Sequence, residues 1–269
     1  MKSLSEIGRS RRRGQLLRNP LGRSIVVAID HGQFMGPVSG ARVLTETVAR
    51  VVAGRPDAIQ LTSGGIRRCE SIPGFSEIPM VLRLDTTNVW RDKTLAPSPG
   101  YWAPLASPLD ALSAGACAVV AFLLGGWGDD LMERKNVQQL SSWSRECAEI
   151  GMPFMIEPLP LSGKLESKSD SDLVRVLSRM AVDIGCDVLK VDFSGDVDAF
   201  SELVSDAGIP VLARGGPRAE STEEYLAGVA SAMTAGASGV VVGRNVFDQE
   251  DTGQQIRALR QVVYGPGKV

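Results

Sequence analysis

Histidine is almost missing from this chain of 269 residues, in which His31 is the single copy. Zinc hydrolases and metal-dependent aldolases usually draw two or three ligands from histidine, and Ser-His-Asp catalysis needs a free histidine beside a serine. One copy leaves little room for either, so chemistry without a metal is expected. Cysteine is also scarce: Cys69, Cys117, Cys147 and Cys186 lie far apart and form no Cys-x-x-Cys. That argues against a disulfide framework or a structural zinc site and suits a reducing cytoplasm. No apolar run approaches the roughly 18 residues of a membrane helix. The basic stretch at 8–14 leads into Gln15-Leu16-Leu17-Arg18, not into an apolar signal core. Neither sign of charge is in excess: 29 basic and 31 acidic residues leave a net charge of −2. No whole-protein field draws nucleic acid or an anionic membrane, and a small molecule is the expected partner.

What the chain does have is a succession of short apolar runs separated by stretches with helical spacing. Residues 24–30, 57–61, 79–85, 117–122, 153–157, 185–193, 210–213 and 238–242 read as eight strands, each apolar enough to be covered on both faces. Helices are expected at about 41–52, 108–115, 136–150, 169–184, 221–235 and 254–263, with one more ending before Gly208. Eight strands alternating with helices over this length predict an α/β protein, a single-domain (β/α)8 TIM barrel at 24–269 behind a basic N-terminal arm or helix at 1–23. A doubly wound open sheet is the competing architecture. It needs a phosphate fingerprint after the first strand, and Asp30-His-Gly-Gln-Phe-Met-Gly36 does not supply Gly-x-Gly-x-x-Gly. Residues 86–108, with four prolines, Trp90, Tyr101 and Trp102, show no sustained period and read as an irregular lid.

The sixth run, Gly185-Cys-Asp-Val-Leu-Lys-Val-Asp-Phe193, places Lys190 inside a core strand. Burying a lysine costs several kcal/mol unless it is paired or neutral. Alternation puts Val188, Lys190 and Asp192 on the inner face of that strand, Arg83 and Asp85 on the inner face of strand three, Asp30 in line with Ala28 and Val26, and Glu157 in line with Met155. Asp30, Arg83, Glu157 and Lys190 then meet at the C-terminal end of one lumen, where barrel active sites lie. A structural ion pair is one reading of Lys190. The other is a nucleophilic amine, whose pKa burial lowers from about 10.4, flanked by acids and bases for imine formation. The ends of strands seven and eight, Ala213-Arg-Gly-Gly-Pro and Gly243-Arg-Asn, supply glycines together with Arg214 and Arg244, where many barrels bind phosphate.

Four pieces in order, Ala28-Ile-Asp-His-Gly with Gly36-Pro, Gly185-Cys-Asp-Val-Leu-Lys, Gly215-Gly-Pro, and Gly236-Ala-Ser-Gly-Val-Val-Val-Gly-Arg-Asn-Val-Phe, resemble the DeoC/LacD-like class I aldolases, in particular the archaeal-type class I fructose-bisphosphate aldolases. The resemblance implies an imine between Lys190 and a dihydroxyacetone-phosphate-type donor, with Asp30 assisting proton transfer. It also implies a phosphate held by Gly215, Gly216, Gly243 and Arg244, and Arg214, His31 and Arg83 are further candidate substrate contacts. It implies no cofactor and a homo-oligomer. The family's Trp-x-Tyr-Pro-Arg-Gly at the end of strand five is replaced by Glu157-Pro-Leu-Pro-Leu-Ser, so Glu157 is the candidate acid/base in place of the tyrosine, with Tyr101 or a water as fallback. The second departure is Arg214, where a small residue often precedes the glycine pair. Two alternatives stay open: a related aldolase or transaldolase that joins a sugar-phosphate fragment to an aspartate-semialdehyde-like acceptor, and a non-catalytic sugar-phosphate binder.

Overall fold

Short runs of β-branched residues that must be covered on both faces close into a barrel. The computed structural model describes residues 1–17, 21–91, 100–161 and 171–265. Its strands are β1 (Ser24–Ala28), β2 (Ala58–Leu61), β3 (Met80–Arg83), β4 (Ala118–Gly125), β5 (Phe154–Pro160), β6 (Val188–Asp192), β7 (Val211–Arg214) and β8 (Gly239–Val242). All eight pair in parallel, each with its sequence neighbours, and β1 pairs with β8 to close the ring. Outside lie the helices Leu44–Ala53, Ser63–Cys69, Pro108–Ser113, Asp130–Ile150, Ser171–Ile184, Val197–Ala207, Thr222–Thr234 and Thr252–Tyr264. The expected single-domain (β/α)8 TIM barrel is therefore the observed fold. Among the described residues no helix is long and apolar enough to cross a membrane.

Period-2 alternation splits the apolar residues into two buried clusters. One joins the outer strand faces, such as Ile25, Val27, Ile59, Leu82 and Leu189, to the helices. The other fills the lumen with Val26, Ala28, Ala58, Val81, Ala118, Val120, Met155, Val188, Leu212 and Val241. The inner and outer faces match the sequence-based phase at strands one, three, five and six.

Leu16 belongs to this second cluster and is fully buried. It comes from the N-terminal helix Leu4–Leu16, opened by a capping box in which Ser3 and Glu6 each bond the other's backbone N–H. Arg9 pairs with Asp187 at 2.7 Å, and Arg12 donates to the Gly151 carbonyl at 2.9 Å. The helix comes so close that a Cβ on Gly151, which has φ +67, would lie 2.2 Å from the Ser5 carbonyl oxygen. Two of the N-terminal arginines thus anchor a helix whose last leucine floors the barrel.

The stretch 86–108 departs from expectation. Its ends are ordered as an antiparallel pair, Asp85–Thr87 with Trp102–Pro104, and its central residues 92–99 lie outside the described residues. The pairing escapes sequence reading because each arm is three residues long, too short to show a period. Side chains hold the arms in place: Thr87 Oγ1 donates to the Tyr101 carbonyl at 2.7 Å, and Trp102 Nε1 donates to Asp85 Oδ2 at 2.8 Å. Strands β4 and β5 also run past their expected ends, pairing as far as Gly125 and Pro160.

Replacing Leu16 by alanine leaves a void at the floor and is expected to cost about 2–5 kcal/mol. Urea unfolding reads this, and a loss below about 0.5 kcal/mol would show that Leu16 does not close the barrel.

Candidate active site

Parity and parallel register bring the ionisable residues together. Met155 of β5 lies opposite Val188 of β6, so two residues further on Glu157 comes beside Lys190. The Lys190 Nζ to Glu157 Oε2 distance is 2.9 Å. Glu157 lies opposite Phe122 on the other side, and the Arg83 guanidinium stacks 3.9 Å from the Phe122 ring centre. Such a stack suits a cation held away from water. Phe34 and Trp90 complete an aromatic wall with Phe122, at centroid separations of 5.3 to 5.6 Å.

Arg83 organises the carboxylates. It is 1% exposed and donates from Nε to Asp30 Oδ2 at 3.0 Å, from Nη1 to Asp85 Oδ1 at 3.3 Å and from Nη2 to Glu157 Oε2 at 2.5 Å. Its guanidinium is committed to the protein. Asp85 is held further by the backbone N–H of Phe122 at 2.7 Å and by Trp102. Arg214 of β7, opposite Asp192 of β6, pairs with both oxygens of Asp192 through its Nε and Nη2 and reaches Glu157 Oε1 with Nη1 at 3.4 Å. The arginine where the resemblance has a small residue therefore serves a carboxylate of the neighbouring strand, and serves Glu157.

Burial and charge pull these groups in opposite directions. For Lys190, desolvation is the largest influence and Arg83 adds repulsion; against the attraction of Glu157 and Asp30, the net pKa lies below the ordinary lysine value. Burial alone would raise Glu157, but Lys190, Arg83 and Arg214 together outweigh it and hold the carboxyl well below its usual range. Asp30 follows the same pattern, lowered by Arg83 and Lys190 against burial. Asp85 does not: burial dominates and pushes it up to about 6 even beside Arg83. Near neutrality Asp30 and Glu157 are ionised, and Lys190 is an amine eased towards its neutral form.

The loops after β7 and β8 meet next to this cluster. Asn245 ties them together, donating to the carbonyls of Gly215 and Pro217 at 2.8 Å each and accepting from the Ala219 N–H at 2.9 Å. Gly216 has φ +63, a conformation open to glycine. A Cβ on Gly243 would lie 2.4 Å from His31 Cε1, so the bare backbone there lets the imidazole pack against it. His31 Nδ1 stands 4.0 Å from Asp30 Oδ1, and burial lowers the His31 pKa. Arg244 is half-buried, donates to the Gly216 carbonyl at 3.5 Å, and forms no ion pair among the described residues. Burial and the neighbouring Arg214 lower its pKa, as expected for a cation short of anions.

The sequence-based candidates other than Tyr101 thus gather at the C-terminal mouth: Asp30, Arg83, Glu157 and Lys190 in the lumen, and His31, Arg214, Gly215, Gly216, Gly243 and Arg244 around it. Tyr101 sits on the hairpin instead, its hydroxyl 3.4 Å from Arg91. One residue was missed. Gln60 of β2 is fully buried, donates to Asp30 Oδ2 at 2.6 Å and accepts from Lys190 Nζ at 3.5 Å. The signal was present, since a glutamine in line with Ala58 on the inner face is as out of place as a lysine, but it carries no charge to draw notice.

Comparison with known proteins agrees with this geometry. The family model for DeoC/LacD aldolases matches residues 24–249. An uncharacterized aldolase of Saccharolobus solfataricus is 40% identical over 245 residues, 90% of each chain. The 2-amino-4,5-dihydroxy-6-oxo-7-(phosphonooxy)heptanoate synthase of Streptomyces griseus is 29% identical over 260 residues, 96% of this chain and 91% of that one. A solved archaeal fructose-1,6-bisphosphate aldolase, with its catalytic lysine covalently bound to the carbinolamine intermediate of the substrate, matches with a TM-score of 0.83 at 27% identity, over 96% of this chain and 100% of that one. With the family match spanning every barrel strand, the chain belongs to the DeoC/LacD aldolase family.

Proposed function

We propose that this protein is a class I aldolase that makes or breaks a carbon–carbon bond of a phosphorylated ketose through an imine on Lys190. The observation that carries the reading is a buried lysine amine 2.9 Å from an ionised carboxylate at the C-terminal mouth of the barrel.

The steps close in protons without a cofactor. Neutral Lys190 attacks the ketone carbon of a dihydroxyacetone-phosphate-type donor. Glu157 carries the amine proton to the carbonyl oxygen, giving a carbinolamine. With both carboxylate oxygens engaged by cations, Glu157 acts as a relay at Lys190 and not as a store of protons. Gain of a proton and loss of water give the iminium, whose positive charge the surrounding carboxylates stabilise. Asp30, kept ionised by Arg83 and Lys190, then takes a proton from the adjacent carbon to form the enamine. The enamine adds to an aldehyde, whose oxygen takes up that proton, and water hydrolyses the product iminium to restore the amine. Arg244, His31 and the glycine backbones at 215, 216 and 243 hold the donor phosphate. Arg83 and Arg214 keep Glu157 and Asp30 in their charged forms.

The donor is better defined than the acceptor. Splitting fructose 1,6-bisphosphate at its aldol bond gives dihydroxyacetone phosphate, and so does splitting 2-amino-4,5-dihydroxy-6-oxo-7-(phosphonooxy)heptanoate between C4 and C5. The compounds for which both relatives are named contain the same donor fragment. At the end of β5, where the resemblance has a tyrosine, the chain has Glu157-Pro-Leu-Pro, with Leu159 buried. That change favours an acceptor other than glyceraldehyde phosphate, and an aldehyde bearing an amino acid is the second reading. Incubating the donor with each aldehyde and weighing the product decides between them.

Borohydride with dihydroxyacetone phosphate is expected to add the mass of the reduced adduct to the peptide containing Lys190, and Lys190→Met to abolish it. A sugar phosphate that binds without trapping or turnover would instead mark a non-catalytic binder. Because the neutral amine reacts, the trapping rate should rise with pH through the lowered pKa of Lys190 and level off below pH 10.5, the ordinary lysine value. Asp30 and Glu157 are already ionised across that range and add no limb. Glu157→Gln should lower turnover by about 10²-fold or more, and unchanged turnover would remove it from the chemistry. Arg244→Ala should raise the half-saturating donor concentration by about 10-fold with a smaller effect on the limiting rate. An unaltered half-saturation would place the phosphate elsewhere.

A further inference from the structure

Gln60 has no part in the steps above, yet it touches two of the groups that carry them. The lumen around it is lined by alanine and valine, in which an aliphatic residue would sit at no polar cost. A fully buried amide there is tolerated only if both its ends are bonded. We propose that Gln60 is a positioning residue that assigns the two oxygens of Asp30 to different tasks and holds the reacting nitrogen of Lys190 in line with them. This rests on the reading of Lys190 as the imine-forming amine.

The chemistry of the partners fixes which way the amide points. A carboxylate only accepts and an ammonium only donates, so the NH2 end faces Asp30, at 2.6 Å, and the carbonyl end faces Lys190, at 3.5 Å. The flipped amide would set oxygen against oxygen and N–H against N–H. Asp30 Oδ2 accepts this bond and also the one from Arg83 Nε at 3.0 Å. Two donors converge on one oxygen. The other, Oδ1, faces His31 Nδ1 at 4.0 Å, beyond hydrogen-bond range.

Oδ1 is therefore the oxygen open to a substrate, and it lies on the side of His31 and Gly243. A donor joined to Lys190 through its ketone carbon offers the adjacent hydroxymethyl carbon to Oδ1. At the other end the Gln60 carbonyl remains an acceptor as the amine becomes an iminium with a single N–H. The neutral amine gives one N–H to Glu157 and the other to Gln60, which fixes the direction of its lone pair, and the iminium keeps one of these two acceptors. Without Gln60, Asp30 keeps Arg83 but can turn about its side-chain bonds, and both oxygens compete for the same role.

Two variants test this, read by solvent-deuterium exchange into dihydroxyacetone phosphate and by borohydride trapping across pH. Gln60→Met keeps the length and flexibility of the side chain and removes both bonds. It should slow the limiting exchange rate by about 10-fold or more while moving the half-saturating donor concentration less than about 3-fold. Losing an acceptor for the ammonium, it should also shift the acid limb of trapping to lower pH. Gln60→Glu adds an anion beside Lys190 and should shift that limb to higher pH; it also lacks the donor to Asp30, and its slowed exchange carries the test if the methionine variant fails to fold. A displacement to lower pH in Gln60→Met supports the proposal, because a packing role predicts none, whereas the rise in Gln60→Glu follows from the added charge. Wild-type exchange and wild-type pH limbs in folded variants would overturn it, as would equal losses in exchange and trapping with the limb unmoved. If wild-type protein shows no adduct on Lys190, the imine reading falls and the role of Gln60 falls with it. An adduct in the wild type together with unaltered variants removes Gln60 alone.

Discussion

The site depends on one carboxylate surrounded by cations. Glu157 meets Lys190 and Arg83 through one oxygen and Arg214 through the other, at a depth where any of these charges alone would cost several kcal/mol. None is tolerable without the others. Arg83 is buried because Asp30, Asp85 and Glu157 converge on it, and Lys190 is buried because Glu157 and Gln60 receive its hydrogens. Removing one member of such a buried pair typically costs about 3–5 kcal/mol, so the arrangement behaves as a unit. It also fits the proposal that a buried lysine is reactive. Desolvation pushes it towards the neutral amine, while the ionised carboxylates around it are suited to the iminium that forms next.

A barrel can hold such a cluster because it separates the lumen into layers. Below lie alanine, valine and methionine, closed at the floor by Leu16; above them the same inward-facing positions turn polar. The hydrocarbon layer keeps water from entering beneath and makes the strand backbones a rigid frame. Above, the hairpin formed by residues 85–87 and 102–104 reaches into the same network, since Asp85 joins Trp102 to Arg83. The base of the stretch expected to be a lid is thus tied to the charge cluster.

Much of this was legible before any coordinates. Eight apolar runs with helical stretches between them left the barrel as the natural arrangement, and alternation along β1, β3, β5 and β6 correctly faced Asp30, Arg83, Glu157 and Lys190 inward. Lysine in a core strand is conspicuous because its charge makes the cost of burial obvious. Gln60 obeys the same logic on β2 but is neutral, and the hairpin arms are too short to have a period. The committed state of Arg83 was hidden for another reason: how many carboxylates meet one guanidinium depends on distances across the lumen, which no pattern along a strand encodes.

By itself, the chain's pattern of apolar runs and misplaced polar residues determined the fold, the face each strand turns inward and the amine most suited to imine chemistry, because these follow from local periodicity and from the cost of burial. Only the closed barrel decided which charges pair. It gave Arg214 to Asp192 and Glu157, set Arg83 among Asp30, Asp85 and Glu157, and left Asp30 Oδ1 facing His31. Those choices depend on inter-strand register and on distances of about 3 Å between residues as many as 130 positions apart, where hydrogen bonding and Coulomb attraction act and sequence adjacency does not.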